Sequence, residues 1–157
     1  MASSDADQGY LPSILDRLID PESTGSGGRR GYRFEQMRDT IKRDLENLLN
    51  TRPVAADLPE SSELNQSIIA YGLPDLTSFM AVTKSQWEEV GRMIEKTIRR
   101  FEPRLTDVHV TLQIVPDGIQ GRIQYRISGR LGVDEAPEVA FDTQLELTTG
   151  RYSLQAT

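Results

Sequence analysis

The chain has 157 residues, with 18 Lys+Arg against 24 Asp+Glu, one His, one Trp and no Cys, for a net charge of −6. The missing Cys excludes a disulfide scaffold, a zinc finger, an iron–sulfur site and a Cys nucleophile, and the lone His excludes a multi-His metal site. The acidic balance argues against general nucleic-acid binding, and the length suits one core that needs no metal or disulfide staple.

The stretch from Met1 to Gln8 has no basic start and no apolar core, so it does not read as a secretory signal. No run approaches the roughly 18 apolar residues of a membrane span. Together with the absent Cys, this points to a cytoplasmic protein. Leu11, Ile14, Leu15, Leu18 and Ile19 recur at helical spacing, with Pro12 suited to a first turn and Asp20-Pro21 as the stop. A helix of about ten residues is not stable alone in water, so its apolar stripe must dock on the body of the protein or on a partner. From Pro21 to Gly31 the chain is a Gly/Ser linker with a basic tip at Arg29 and Arg30, and reads as a solvated, flexible loop. Residues 1–31 are thus expected as a helix plus linker, ahead of a single domain over 32–157.

A second helix is expected from Tyr32 to Leu49, with Phe34, Met37, Ile41, Leu45, Leu48 and Leu49 on its buried stripe. Asp39 and Arg43 stand as a favourable i,i+4 pair. Asn50-Thr51-Arg52-Pro53 closes this helix. Residues 54–82 form a looser stretch with one or two short helical turns, and Gly72 and Pro74 mark a turn within it. A third helix runs from Lys84 to Phe101, with Trp87, Val90, Met93, Ile94, Ile98 and Phe101 facing in. Thr83 and Gln86 match a capping box. Glu88→Arg92 and Glu95→Arg99 are well-oriented pairs, and Pro103 is the stop signal.

The hydrophobic period then changes from 3.6 to 2. Val108, Val110, Leu112 and Ile114 alternate with Asp107, His109, Thr111 and Gln113, up to a turn at Pro116-Asp-Gly118. Ile119, Gly121, Ile123, Tyr125 and Ile127 alternate with Gln120, Arg122, Gln124 and Arg126, up to a turn at Asp134-Glu-Ala-Pro137. Val139, Phe141, Leu145 and Leu147 alternate with Asp142, Gln144 and Glu146, and Thr149-Gly150 leads into Arg151-Tyr-Ser-Leu154. The pattern is an antiparallel meander of about four strands with one apolar face, covered by N-terminal helices, which is an α+β fold. The last strand is short and polar and reads as an edge.

Chemistry is sparse. His109 falls on the polar face of its strand, where it reads as a solvated residue and not a general base. Gly25-Ser-Gly-Gly28 lacks the ending of a phosphate loop. Glu102 and Asp107 are the carboxylates nearest a structural junction, but an arginine next to a carboxylate favours the charged form, the wrong setting for a general acid. Arg122, Arg126 and Arg130 share one strand face, and Asp142 and Glu146 share the face of the next, which reads as cross-strand pairing on a solvent face. The peptide from Phe101 to Leu105 is the most informative. Pro103 forces Glu102 out of the helix, and an extended chain would set Glu102 and Arg104 side by side between two apolar anchors. Such a fork either locks a helix–sheet junction or offers a bidentate contact to another chain.

Four ordered motifs carry a family resemblance: Pro12-Ser-Ile-Leu-Asp-Arg-Leu18, Arg43-Asp-Leu-Glu-Asn-Leu-Leu-Asn-Thr-Arg52, Ser67-Ile-Ile-Ala-Tyr-Gly-Leu-Pro-Asp-Leu76 and Phe101-Glu-Pro-Arg-Leu105. With the meander, they cover nearly the whole chain from Leu11. The sequence resembles the TssE family of type VI secretion baseplate wedge subunits, a branch of the phage baseplate-wedge family formerly labelled lysozyme-like. Asn47 and Ala70 depart from its pattern, where an aromatic residue and an Asn are expected. The resemblance implies a structural, non-enzymatic wedge component without cofactors, assembling with TssF, TssG and, further out, TssK around the VgrG hub. It also implies a platform on which the sheath of TssB and TssC starts around the Hcp tube, at the cytoplasmic face of the inner membrane. The protein-binding residues it implies are Glu102, Pro103 and Arg104, with Arg43, Asp44, Arg52, Tyr71 and Asp75 from the other motifs. Two further readings compete: a regulatory module like the anti-adaptor IraD, which shares this fold and binds a response regulator, and a murein hydrolase working through Glu102.

Overall fold

The computed structural model describes Tyr10 and residues 13–19, 33–55, 58–59, 62–74, 76, 83–113, 122–132 and 137–156. The turns expected at 116–118 and 134–136 lie outside the described residues, as do the linker and Asp75. Two compact units are distinguished, Met1–Ile41 and Lys42–Thr157.

In the first unit, α1 spans Ile14–Ile19. Ser13 and Asp16 cap it reciprocally: the Asp16 N–H donates to Ser13 Oγ at 3.1 Å, and Ser13 Oγ–H and N–H donate to Asp16 Oδ2 at 2.8 and 3.2 Å. Leu18, on the stripe expected to dock on the body of the protein or on a partner, is 74% exposed, while Asp16 is 4% exposed. Helical residues two positions apart stand about 200° around the axis, so Asp16 and Leu18 lie on opposite sides of α1. The helix α2, Phe34–Asn50, begins in this unit, with Met37 and Ile41 buried and the Phe34 ring 6.4 Å from that of Tyr10.

The second unit holds the rest of α2, two short 3-10 turns at Glu63–Gln66 and Ile68–Ala70, α3 (Lys84–Phe101), and four strands: β1 (Leu105–Gln113), β2 (Arg122–Leu131), β3 (Glu138–Glu146) and β4 (Arg151–Ala156). The strands form one antiparallel sheet in the order β1-β2-β3-β4, so the fold is α+β and β4 is an edge. The capping box of α3 is formed: the Gln86 N–H donates to Thr83 Oγ1 at 3.4 Å and the Thr83 N–H donates to Gln86 Oε1 at 3.0 Å. Val90, Ile94 and Ile98 of α3 are buried, as are Leu45, Leu48 and Leu49 of α2. Each such side chain stabilises the fold by about 1.5–3 kcal/mol relative to exposure. Gly91 sets α3 close on the sheet, because a Cβ there would lie 3.4 Å from the Tyr125 ring. Of the pairs along α3, Glu95 and Arg99 meet at 2.8 Å, and Glu88 meets Lys84 at 3.6 Å.

The inward face of the sheet carries Tyr125, Ile127, Val139, Phe141, Leu145, Tyr152 and Leu154. Two positions depart from simple alternation, and one inward position is polar. In β1 the register shifts between Thr106 and His109, so two residues face one on β2. Asp107 takes φ +50° at this bulge, and Leu105 and Val108, three apart, both point inward. In β3, Thr143 is buried among the apolar positions. Leu147 was expected on the inward face, yet it lies in the four-residue turn after β3 and is exposed. There the Gly150 N–H closes the turn on Glu146 O at 2.8 Å and frees Leu147 from the pleat. On the outward face the register sets Arg122 opposite Glu146, Arg126 opposite Asp142 and Arg130 opposite Glu138. Arg126 and Asp142 form a two-bond ion pair at 2.8 and 3.1 Å, as the charge rows indicated. His109 is exposed.

Candidate functional site

Helix α3 ends at Phe101, because the following Pro103 bars Glu102 from helical backbone. Glu102 takes φ −121° and ψ 77°, and its N–H still bonds Ile98 O at 2.8 Å. The chain is not extended from there, as the sequence suggested. The Leu105 N–H donates to Glu102 O at 3.1 Å, which makes residues 102–105 a tight turn with Pro103 exposed in it. This turn, and not an i,i+2 pleat, brings the Arg104 side chain back onto Glu102.

Glu102 is 4% exposed and accepts three bonds from one residue. Arg104 Nε and Nη2 donate to its two carboxylate oxygens at 2.7 Å each, and the Arg104 backbone N–H adds one at 3.3 Å. Nη2 also donates to Asp44 Oδ2 at 2.6 Å, sixty residues away in sequence. Asp44 in turn accepts from Arg43 Nη2 at 3.1 Å. Arg43, Asp44, Arg104 and Glu102 therefore alternate in charge and balance. Burial opposes the Arg104 charge, but the hydrogen bonds and charges of Glu102 and Asp44 outweigh it and push its pKa further up. Nη1 of Arg104 is buried and makes no hydrogen bond.

Tyr71 completes the cluster. Its ring meets Phe101 edge-on with centroids 5.3 Å apart. Burial raises its phenol pKa, and the charges of Asp44 and Glu102 raise it further. Tyr71 is held by a backbone seam: Leu73 N–H donates to Thr51 O at 3.0 Å and Ala55 N–H to Ile69 O at 3.0 Å. Gly72 sits in this seam at φ +115°, and a Cβ on it would run into the Thr51 carbonyl. The structure thus gathers Arg43, Asp44, Tyr71, Glu102, Pro103 and Arg104 from three separate motifs at one junction. Arg52 lies apart, donating to Gly150 O at 3.2 Å in the β3–β4 turn. Asp75 is outside the described residues.

Sequence reasoning missed Asn50 as a structural residue. Its Nδ2 donates to Glu46 O and Tyr152 O, both at 2.8 Å, and its Oδ1 accepts from the Tyr152 N–H at 2.9 Å. An Asn at a helix end reads as a cap, and nothing local names the strand it meets. Among the described residues, no three His, Asp or Glu side chains are grouped to hold a metal, and no helix is long and apolar enough to cross a membrane.

Residues 35–136 match the family described as baseplate wedge protein gp25. The chain belongs to this family. The matched region takes in α2, the Tyr71 seam, α3, the Glu102–Arg104 turn and the first two strands, so the junction lies wholly within the family's shared part. No curated protein matches the chain. Among solved structures, one chain of "The baseplate complex from the type VI secretion system" shares the fold at a TM-score of 0.53. It is 21% identical, and the alignment covers 76% of this chain and 95% of that one. The family match agrees with the wedge-subunit resemblance, and the solved chain shows the same fold.

Proposed function

We propose that the protein is the TssE-type wedge subunit of a type VI secretion baseplate, a structural component without catalytic function. The observation that carries this reading is the junction itself. Residues from three of the four motifs that mark the resemblance meet at one charge-balanced lock between α2, the Tyr71 seam and the α3–β1 turn. Membership of the baseplate wedge family supports it. In this role the protein joins TssF and TssG in the wedge, with TssK further out and VgrG at the hub, at the cytoplasmic face of the inner membrane. The β4 edge beside the Arg126–Asp142 row is the side on which TssB and TssC of the sheath begin. The N-terminal segment, 1–31, acts as a tether whose apolar helix docks on a neighbouring subunit, which suits the outward-facing Leu18.

Reconstitution with purified TssF and TssG, read by native mass, yields a complex containing all three chains. A strain lacking the gene assembles no sheath when the sheath is followed by fluorescence. Sheath assembly in that strain refutes the reading.

A further inference from the structure

A four-stranded sheet has two edges, and each exposes backbone groups that can pair with another strand. In this protein helix side chains occupy both. On β4, the Asn50 carboxamide donates to Tyr152 O at 2.8 Å and accepts from the Tyr152 N–H at 2.9 Å. That is the pair of bonds a residue of a neighbouring antiparallel strand would make. On β1, Arg99 donates through Nη2 and Nε to Val108 O at 2.7 and 3.2 Å, and Glu95 Oε2 accepts from the Val110 N–H at 3.0 Å. Glu95 and Arg99 are themselves ion-paired at 2.8 Å, so they act as one unit with one acceptor and one donor facing the strand. Two helices thus supply, at two edges, the same substitute.

Outward groups alternate along an antiparallel strand. Because Tyr152 points its N–H and C=O away from β3, Leu154 and Ala156 do so as well, and Leu112 does so beyond Val110 on β1. Among the described residues, nothing further bonds these groups. The substitutes therefore sit at one position on each edge and leave the strand tips open.

We propose that Asn50 on β4, and the Glu95–Arg99 pair on β1, act as surrogate strands that keep the sheet from pairing edge to edge with a second copy of this chain. Symmetric pairing of two β4 strands about Leu154 sets Tyr152 of one copy against Ala156 of the other. Asn50 already holds the groups that this pairing needs, and it shortens the edge to its tip. The inference is independent of the wedge reading, since it concerns the isolated chain. It also carries a geometric consequence. Opening one edge gives a closed dimer, because the dimer consumes the only free edge, whereas opening both gives an assembly that grows without closing.

The test combines exchange and mass. In the wild-type chain, the Tyr152 and Val110 amides exchange more slowly with deuterium than Leu154 and Leu112, by about tenfold or more. Asn50→Ala removes the protection at Tyr152 and gives a dimer that builds up with concentration in light scattering. Asn50→Ala combined with Glu95→Ala and Arg99→Ala gives larger species. Arg99→Lys, which still donates to Val108 O, stays monomeric. Folding of each variant is checked by far-UV circular dichroism. Tyr152 exchanging as fast as Leu154 in the wild type overturns the proposal without any variant. Folded Asn50→Ala that stays monomeric at every concentration overturns it as well.

Discussion

Replacing Arg104 by Met keeps most of the aliphatic stem and removes the guanidinium. Glu102 then loses its two bonds at 2.7 Å and keeps only the backbone N–H at 3.3 Å, with its side chain 6% exposed. Removing one partner of a buried pair costs about 3–5 kcal/mol, because the other charge stays buried and uncompensated. Arg104 and Asp44 each keep about a fifth of their side-chain surface in water, so the Asp44 bond contributes less. We expect Arg104→Met to lose about 2–4 kcal/mol. The double variant Glu102→Gln, Arg104→Met removes the stranded charge too, and should be more stable than Arg104→Met alone. Urea unfolding followed by Trp87 fluorescence and by far-UV circular dichroism measures both, with the slope against urea unchanged. A loss below about 1 kcal/mol for Arg104→Met, or a double variant no better than the single one, refutes the idea that the Glu-Pro-Arg turn is locked from within.

Thr143 is 1% exposed and its Oγ1 has no partner, so Thr143→Val should raise stability by up to about 1 kcal/mol in the same urea assay. Tyr152 likewise buries an unbonded hydroxyl, and Tyr152→Phe should be neutral or stabilising, while Tyr125→Phe should destabilise because the Tyr125 hydroxyl donates to Trp87 O at 3.0 Å. Burial raises the pKa of both tyrosines in the folded chain above the ordinary value of 10.0; for Tyr125 the neighbouring Tyr152 adds to the rise, and for Tyr152 Arg52 offsets part of it. The unfolded chain therefore releases these protons first, so stability holds below about pH 10 and falls as pH rises beyond it. Tyr152→Phe should flatten that alkaline fall in thermal melts taken between neutral pH and pH 11, and an unchanged slope would count against burial as the cause. Gly72→Ala should lose more than about 2 kcal/mol, because the left-handed backbone and the Thr51 carbonyl both exclude a Cβ.

Features written in local chemistry were readable from the sequence. Thr83 and Gln86 fixed the start of α3 because a capping box needs only four consecutive residues. The alternation in β2 fixed which residues face in, and from it the Arg rows and their acidic partners on β3. What escaped depends on contacts far apart in the chain. The Asp107 bulge cannot be seen in a period-2 pattern, since the extra residue is defined only against Gly129 and its neighbours on β2. Glu102 and Arg104 were expected side by side, and they are, but by a turn and not by an extended chain. Asp44 as the third member was invisible, because sixty residues separate it from Arg104. Apolar spacing names no surface, so whether the α1 stripe meets the body or a partner could not be read from it; Leu18 is exposed.

Helix α2 also has the character of a gauge. Asp44 meets the Arg104 turn and Asn50 meets β4, six residues apart, or roughly 9 Å along the axis. Thr51 and Arg52 follow at once, fixing the Tyr71 seam and the β3–β4 turn. One residue inserted between Asp44 and Asn50 would swing everything beyond it by about 100°. Asn50 would leave Tyr152, and the Thr51 and Arg52 contacts would go with it, while Asp44 kept its place. The length of this stretch is therefore as constrained as its side chains. That constant spacing, as much as any single side chain, is what a related sequence must keep to hold the same junction and the same edge.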